Sequence, residues 1–192
     1  MKALVIYAHP VPESLNAASH GVVVETLRAR GWDVDDCDLY AEGFDPVLST
    51  EERRNYHNTE INTAPVQGYV DRLRAADAVI FCHPIWNFGL PAILKGWHDR
   101  VMLPGVSFKL ADGQLSPCLD NVKKIATVCT YGATRWRAWL VGDPPRKLIT
   151  RVVWGTVRPE KIRYIAQYDM NNITQAGCDA FLARVKTEME AF

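Results

Sequence analysis

The sequence predicts an α/β fold: five parallel strands in the order 2-1-3-4-5, with helices covering both faces of the sheet. Three observations carry this. Short apolar runs alternate from end to end with segments whose apolar residues recur at helical spacing. The first run is apolar throughout, as a strand buried on both faces must be, while the second is polar and belongs nearer an edge. No internal repeat, low-complexity tract or shift in composition divides the 192 residues, so one domain over 1–192 is expected.

The elements follow in order. Ala3–Ala8 is the first strand. Asn16–Arg30 is a helix with Val22, Val23, Val24 and Leu27 on one stripe, closed by Gly31 as a C-cap. Asp33–Tyr40 is a short second strand. Residues 42–64 form a long polar excursion with room for one helical turn, in which Glu51-Glu52-Arg53-Arg54 reads as a solvated turn. Pro65–Ala76 is helical through Val66, Tyr69, Val70 and Leu73. Ala78–Cys82 is the third strand and stops at His83-Pro84. Pro91–Met102 is a helix whose Trp97-His98-Asp99-Arg100 lines a surface or a dimer contact. Val106–Asn121 is rich in Gly, Pro and Asp and reads as loop. Lys124–Thr130 is the fourth strand, Pro144–Val157 a helix, Lys161–Tyr168 the fifth strand, and Thr174–Phe192 a terminal helix carrying Phe181, Leu182, Val185 and Met189.

Composition excludes several functions. Acidic and basic side chains balance at 22 each, which leaves no basic footprint for nucleic acid or an anionic membrane. No apolar stretch approaches the ~20 residues that span a bilayer, and the start, MKALVIYAHP, is too short an apolar run for a signal peptide. The five cysteines lack a C-x-x-C pair or zinc-ligand spacing, so no metal site is expected and the location is read as cytoplasmic.

Three segments carry chemistry. His9 to Asn16 joins the first strand to the first helix without any glycine, the first being Gly21, so a glycine-rich dinucleotide turn is excluded. Ser14 and Asn16 instead bring a hydroxyl and an amide to a helix N-terminus, where unpaired N–H groups attract an anion such as a phosphate; the same residues also suit plain N-capping. Pro84 to Phe88, at the carboxyl end of the third strand, sets Trp86 and Phe88 beside the Asn87 amide as a platform for a flat ligand, or as a corner packing the next helix. Thr130 to Arg137 follows the fourth strand. There Gly132 lets the backbone turn close to a ligand, Trp136 and Trp139 are candidates to wall a pocket, and Arg135 or Arg137 to favour an anionic cofactor. In the expected strand order these three loops share one edge of the sheet.

AHPVPESLN (8–16), GWDVDDCDLYAEGFDPVLS (31–49) and HPIWNFGLPAILKGWHDRV (83–101) make the chain resemble the NAD(P)H:quinone oxidoreductases of flavodoxin-like fold, the group of DT-diaphorase and the bacterial modulator-of-drug-activity and potassium-efflux ancillary proteins. The resemblance covers the amino-terminal half well and thins after residue 105. It implies a non-covalent flavin, FAD or alternatively FMN, reduced by NAD(P)H and reoxidised by a quinone-like acceptor. It also implies a homodimer with the flavin site at the subunit interface. Carried across, His9, Ser14, Leu15, Asn16 and Ala18 would hold the phosphate side, and Pro84, Ile85, Trp86, Asn87 and Phe88 would face the isoalloxazine. Thr130, Tyr131, Gly132 and Ala133 stand where the family has Thr-Thr-Gly-Gly. A Tyr and a His downstream of that loop assist hydride transfer in DT-diaphorase, but this chain has no His after His98; Tyr131 is the candidate catalytic side chain. The other reading the resemblance allows is a flavin-binding regulatory subunit of a partner such as a potassium-efflux system.

Overall fold

The computed structural model describes residues 1–111 and 113–192. The elements run β1 (Lys2–Tyr7), α1 (Leu15–Ala29), β2 (Asp33–Asp38), α2 (Thr50–Asn55), α3 (Gln67–Ala75), β3 (Ala78–Ile85), α4 (Ala92–Val101), β4 (Phe108–Ala111), β5 (Gln114–Pro117), β6 (Lys124–Tyr131), α5 (Arg135–Leu140), α6 (Pro144–Lys147), α7 (Trp154–Val157), β7 (Lys161–Gln167) and α8 (Gln175–Glu190). Five strands form one sheet in the order β2-β1-β3-β6-β7, every pair parallel. With β4 and β5 set aside as a separate antiparallel hairpin, this is the expected 2-1-3-4-5 order.

Strand alternation sends successive side chains to opposite faces. Leu4, Ile6, Val79, Phe81 and Ile125 meet Val70 and Leu73 of α3 and Leu94 and Trp97 of α4 on one side. Val5, Ile80, Cys82, Ala126 and Val128 meet Val23 and Leu27 of α1 and Phe181 and Val185 of α8 on the other. Strands buried on both faces favour apolar side chains, which is why the central strands read as largely apolar runs; His83 of β3 and Thr127 of β6 are buried polar exceptions. The edge strand β2 is held by charge instead: Arg72 of α3 reaches Asp35 at 2.7 Å and Glu42 at 2.8 Å, and His20 of α1 meets Asp36 at 2.7 Å. Charges of this kind also protect an open edge from pairing with another chain.

Several expectations are corrected. β3 does not stop before His83-Pro84 but runs to Ile85. The Cys82 carbonyl accepts the Ala8 N–H at 2.9 Å, so the backbone of residue 84, two positions on, points to the same side, where β1 has already ended. A proline is admitted there because it lies beyond the last residue pair of β1 with β3. Residues 106–121 hold the β4–β5 hairpin rather than loop alone, and the part of that segment at residue 112 lies outside the described residues. Glu51–Arg54 is not a solvated turn but most of α2, started by a capping box in which Ser49 and Glu52 bond each other's backbone. The Glu52 carboxylate then meets Arg100 of α4 at 2.6 Å, with the side chains 11% and 9% exposed, so Arg100 is a buried clamp and not a surface residue. The helix expected over 144–157 is present as one uninterrupted helical stretch, α6 running into α7 through a wider π-helical segment at Leu148–Val153. Gly96 completes the clamp, since a Cβ there would fall on the backbone of Pro46 and lift the 42–64 segment off α4.

Candidate functional site

β1, β3 and β6 are neighbours and parallel, so their carboxyl ends open at the same edge, with Tyr7 paired to Cys82 and Ile85 to Tyr131. The loops leaving them are the three that the sequence singles out. That edge, at the point where strand order reverses, is the ligand crevice of open α/β sheets.

The first loop is closed by its own side chains. His9 Nδ1 accepts the Val11 N–H at 3.0 Å and the Ser14 hydroxyl at 3.2 Å, a tautomer set by this network. Partial burial lowers the His9 pKa, opposed by the Val11 carbonyl. Ser14 Oγ in turn accepts the Ala17 N–H at 3.1 Å, making Ser14 the N-cap of α1. Asn16 behaves differently. It is 2% exposed, and neither its amide nitrogen nor its carbonyl oxygen has a partner. An unpaired buried amide costs about 1–3 kcal/mol, so this one is poised for a ligand group at the helix N-terminus, beside the N–H groups of Leu15 and Asn16 that have no intrahelical acceptor. Leu15 is half-buried and packs on the core, and Ala18 is exposed one turn on.

In the second loop, Pro84 and Ile85 are buried within β3, which leaves their backbone as the part able to meet a ligand. Trp86 and Gly89 exchange backbone hydrogen bonds of 3.2 and 2.9 Å around Asn87 and Phe88, whose φ values are +49° and +56°. Two positive φ angles in a two-residue hairpin define a type I′ turn, which suits Asn but strains Phe. The turn lifts Trp86 to 44% exposure and brings its ring to 5.7 Å from His9, between centroids, so the first and second loops touch.

The third loop begins inside the sheet. Thr130 is 6% exposed, Gly132 is open to solvent, and the Ala133 carbonyl accepts the Asp169 N–H at 3.0 Å. Thr134 starts α5 and has a buried hydroxyl without a partner. The Tyr131 side chain turns away from the opening. It is 1% exposed, donates to Asp143 Oδ1 at 2.7 Å, meets the Tyr164 hydroxyl at 2.5 Å and stacks on Tyr168 at 4.5 Å. Burial raises both phenol pKa values and pushes the Cys129 thiol beside them up to about 12, so the two phenols and the thiol stay protonated. Asp143, Tyr164, Tyr168 and Thr134 are absent from the sequence-derived site. Asp143 had one usable signal, an Asp immediately before Pro144-Pro145 at a helix start, while the tyrosines had none because Tyr164 arrives from β7 and Tyr168 from the residue just after it.

Beyond Arg135 the third loop opens into a cleft of about 400 Å³ lined by Trp139, Asp143, Arg146, Lys147, Arg151 and Tyr168 among others. Among the described residues no helix is long and apolar enough to cross a membrane.

Residues 1–187 match the family described as flavodoxin-like fold. The chain is similar to NAD(P)H dehydrogenase (quinone) 1 of Rattus norvegicus, 34% identical over 148 residues that cover 69% of this chain and 54% of that protein. It therefore spans about half the length of that relative. Ribosyldihydronicotinamide dehydrogenase (quinone) of the same organism is 35% identical over 160 residues, 74% of this chain and 69% of that protein. Among solved structures, a protein of Streptococcus mutans UA159 superimposes with a TM-score of 0.89 at 28% identity, covering 100% of both chains.

Proposed function

The chain belongs to the flavodoxin-like fold family, and we propose that within it the protein is a flavin-dependent NAD(P)H oxidoreductase acting on quinone-like acceptors. One observation carries the reading: the buried, partnerless Asn16 amide at the start of α1 lies at the same sheet edge as the strained turn that exposes Trp86. A phosphate-accepting end and a ring-accepting wall on adjacent loops are what a flavin requires. His9, Ser14, Leu15, Asn16 and Ala18 would hold the phosphate side. Trp86, Asn87 and Phe88, with the backbone of Pro84 and Ile85, would face the ring, and Thr130 to Ala133 would close over its polar edge.

A bound flavin supplies two-electron transfer between the dinucleotide and the acceptor. The chain supplies position and polarity. Asn16 offers a donor and an acceptor that no other group of the protein occupies. The Trp86 and Phe88 rings exclude water from one side. Tyr131 acts as a positioning residue: its hydroxyl ties the third loop to Asp143 and Tyr164, and its backbone, with Gly132 and Ala133, is what remains to meet a ligand. FAD is the flavin proposed on the resemblance to DT-diaphorase-like proteins, with FMN the alternative. A homodimer is proposed from the same resemblance and from the exposed Trp136 and Leu140 of α5, which a second copy would cover; a cytoplasmic location accords with the scattered free cysteines.

The test is reconstitution. The purified protein should take up one flavin per chain, seen in its visible absorbance, and then oxidise NAD(P)H in the presence of menadione. Mass spectrometry of the flavin released by heating distinguishes FAD from FMN. A protein that binds neither flavin sinks the reading.

A further inference from the structure

The cleft past Arg135 gathers positive charge. Arg135, Arg146, Lys147 and Arg151 face one concavity, yet none of them is in an ion pair among the described residues, although the whole chain has zero net charge. The one carboxylate in the lining, Asp143, already accepts the Tyr131 hydroxyl. Four cations against one carboxylate leave the cleft with an excess of positive charge, which lowers the energy of an anion placed among them. Guanidinium groups match phosphate oxygens in pairs. Trp139, 74% exposed, and Tyr168 add flat faces on which a heterocycle stacks. The volume is that of a small-molecule site.

Its place relative to the third loop narrows the ligand. Arg135 opens α5 two residues after Ala133, and Tyr168, in the cleft lining, stacks directly on Tyr131. A molecule with its flat redox end at Gly132–Ala133 and a phosphorylated, base-bearing tail running past Arg135 would lie in both places. All four cations are exposed to solvent, which suits a ligand that leaves at every turnover better than one retained. We propose that this cleft binds the 2′-phosphorylated adenosine end of NADPH and makes the protein select NADPH over NADH. The proposal rests on the reductase reading for its consequence, but the binding event itself needs no turnover.

Calorimetric titration of the purified flavin-loaded protein with 2′,5′-ADP, and separately with 5′-AMP, tests it. The 2′-phosphate should tighten binding by about tenfold or more, and raised salt should weaken it. The double variant Lys147→Gln/Arg151→Gln avoids Arg146, whose guanidinium lies over the Tyr164 ring at 5.2 Å and helps hold that side chain. It should remove that advantage and raise KM for NADPH by about tenfold, while KM for NADH, kcat and flavin content stay within about twofold. Equal affinity for the two nucleotides overturns the proposal, as does an equal rise in KM for both dinucleotides. Loss of flavin from the variant also overturns it, by assigning the cleft to the adenosine tail of a tightly held FAD. Selective binding of 2′,5′-ADP by a protein that oxidises neither dinucleotide sustains the site and removes the reductase reading instead.

Discussion

Mild acid should weaken this fold through a buried histidine at the root of the site. His83 sits in β3, fully buried, one residue before Pro84 and three before Trp86. Its Nδ1 donates to the Pro84 carbonyl at 2.9 Å, while Nε2 is buried with no acceptor. A proton added at Nε2 would therefore carry its charge into an apolar layer, and that desolvation lowers the pKa from 6.5 to about 4, the Pro84 carbonyl opposing it in part. His98 lies on the same side of the sheet, its ring stacked on Phe81 at 5.1 Å and its Nε2 also buried without a partner. Burial lowers it to about 3, with His83 and Lys95 adding repulsion.

The sign follows from which state takes the proton first. As pH falls below 6.5 the unfolded chain protonates both imidazoles and the native chain neither. The stability is thus fully present above 6.5 and drains away as pH falls toward the folded values. At pH 5 the unfolded form gains about 1.5 pH units per group, about 2 kcal/mol each. His83 carries its share in full. His98 as a residue is only partly buried and its share is discounted accordingly, so the pair together is worth roughly 3–4 kcal/mol of a total of about 5–15. Urea unfolding followed by tryptophan fluorescence between pH 7.5 and 5 measures it. The His83→Gln variant, which cannot titrate, should lose about half of the wild-type decline over that interval, whatever its stability at pH 7.5. An identical pH dependence in wild type and variant would refute the reasoning.

Other perturbations separate ligand binding from folding. Asn16→Ala removes an amide that bonds nothing in the protein, so thermal stability without flavin should change by less than about 1 kcal/mol while flavin dissociation constants rise by about tenfold or more; equal losses in both would assign Asn16 to the fold. Arg100→Met leaves the buried Glu52 carboxylate without its cation and should cost about 3–5 kcal/mol in denaturant unfolding, with Arg100→Met/Glu52→Leu recovering most of it. A double variant no more stable than the single one would show that the pair does not act as a unit. Tyr131→Phe strands the Asp143 carboxylate and should destabilise by about 1.5–3 kcal/mol, yet slow the flavin-reduction phase in stopped-flow by less than about tenfold. A slowing of 10²-fold or more, the ~10²–10⁴ range of a lost general acid, would put the Tyr131 hydroxyl in the chemistry after all.

What the amino-acid order makes legible here is whatever the chain states locally. β1, β3 and β6 are readable because burial on both faces selects mostly apolar side chains, and the 83–101 segment is readable because several rare residues stand together. The loops converge because strand order puts their strands side by side, and that order itself follows from the apolar first strand and the polar second. The hairpin β4–β5 escapes because FKLA and QLSP are only four residues each, too short for their alternation to stand out among Gly, Pro and Asp. Tyr131 shows the deeper limit. Its partners lie 12 and 33 residues away, on α6's N-cap and on β7, so a tyrosine at the end of an apolar strand reads as a candidate catalytic phenol until tertiary structure turns its hydroxyl inward. The same holds for Glu52 and Arg100, 48 residues apart, each of which reads locally as a solvated charge. In each case what the sequence omits has one direction. A polar side chain whose partner is distant in sequence is read as free, and a free polar group is read either as surface or as chemistry. Asn16 is the instructive exception, because folding brings the polar side chain in and brings nothing to meet it. That unmet amide distinguishes a ligand contact from a structural one, and sequence alone has no means of expressing it.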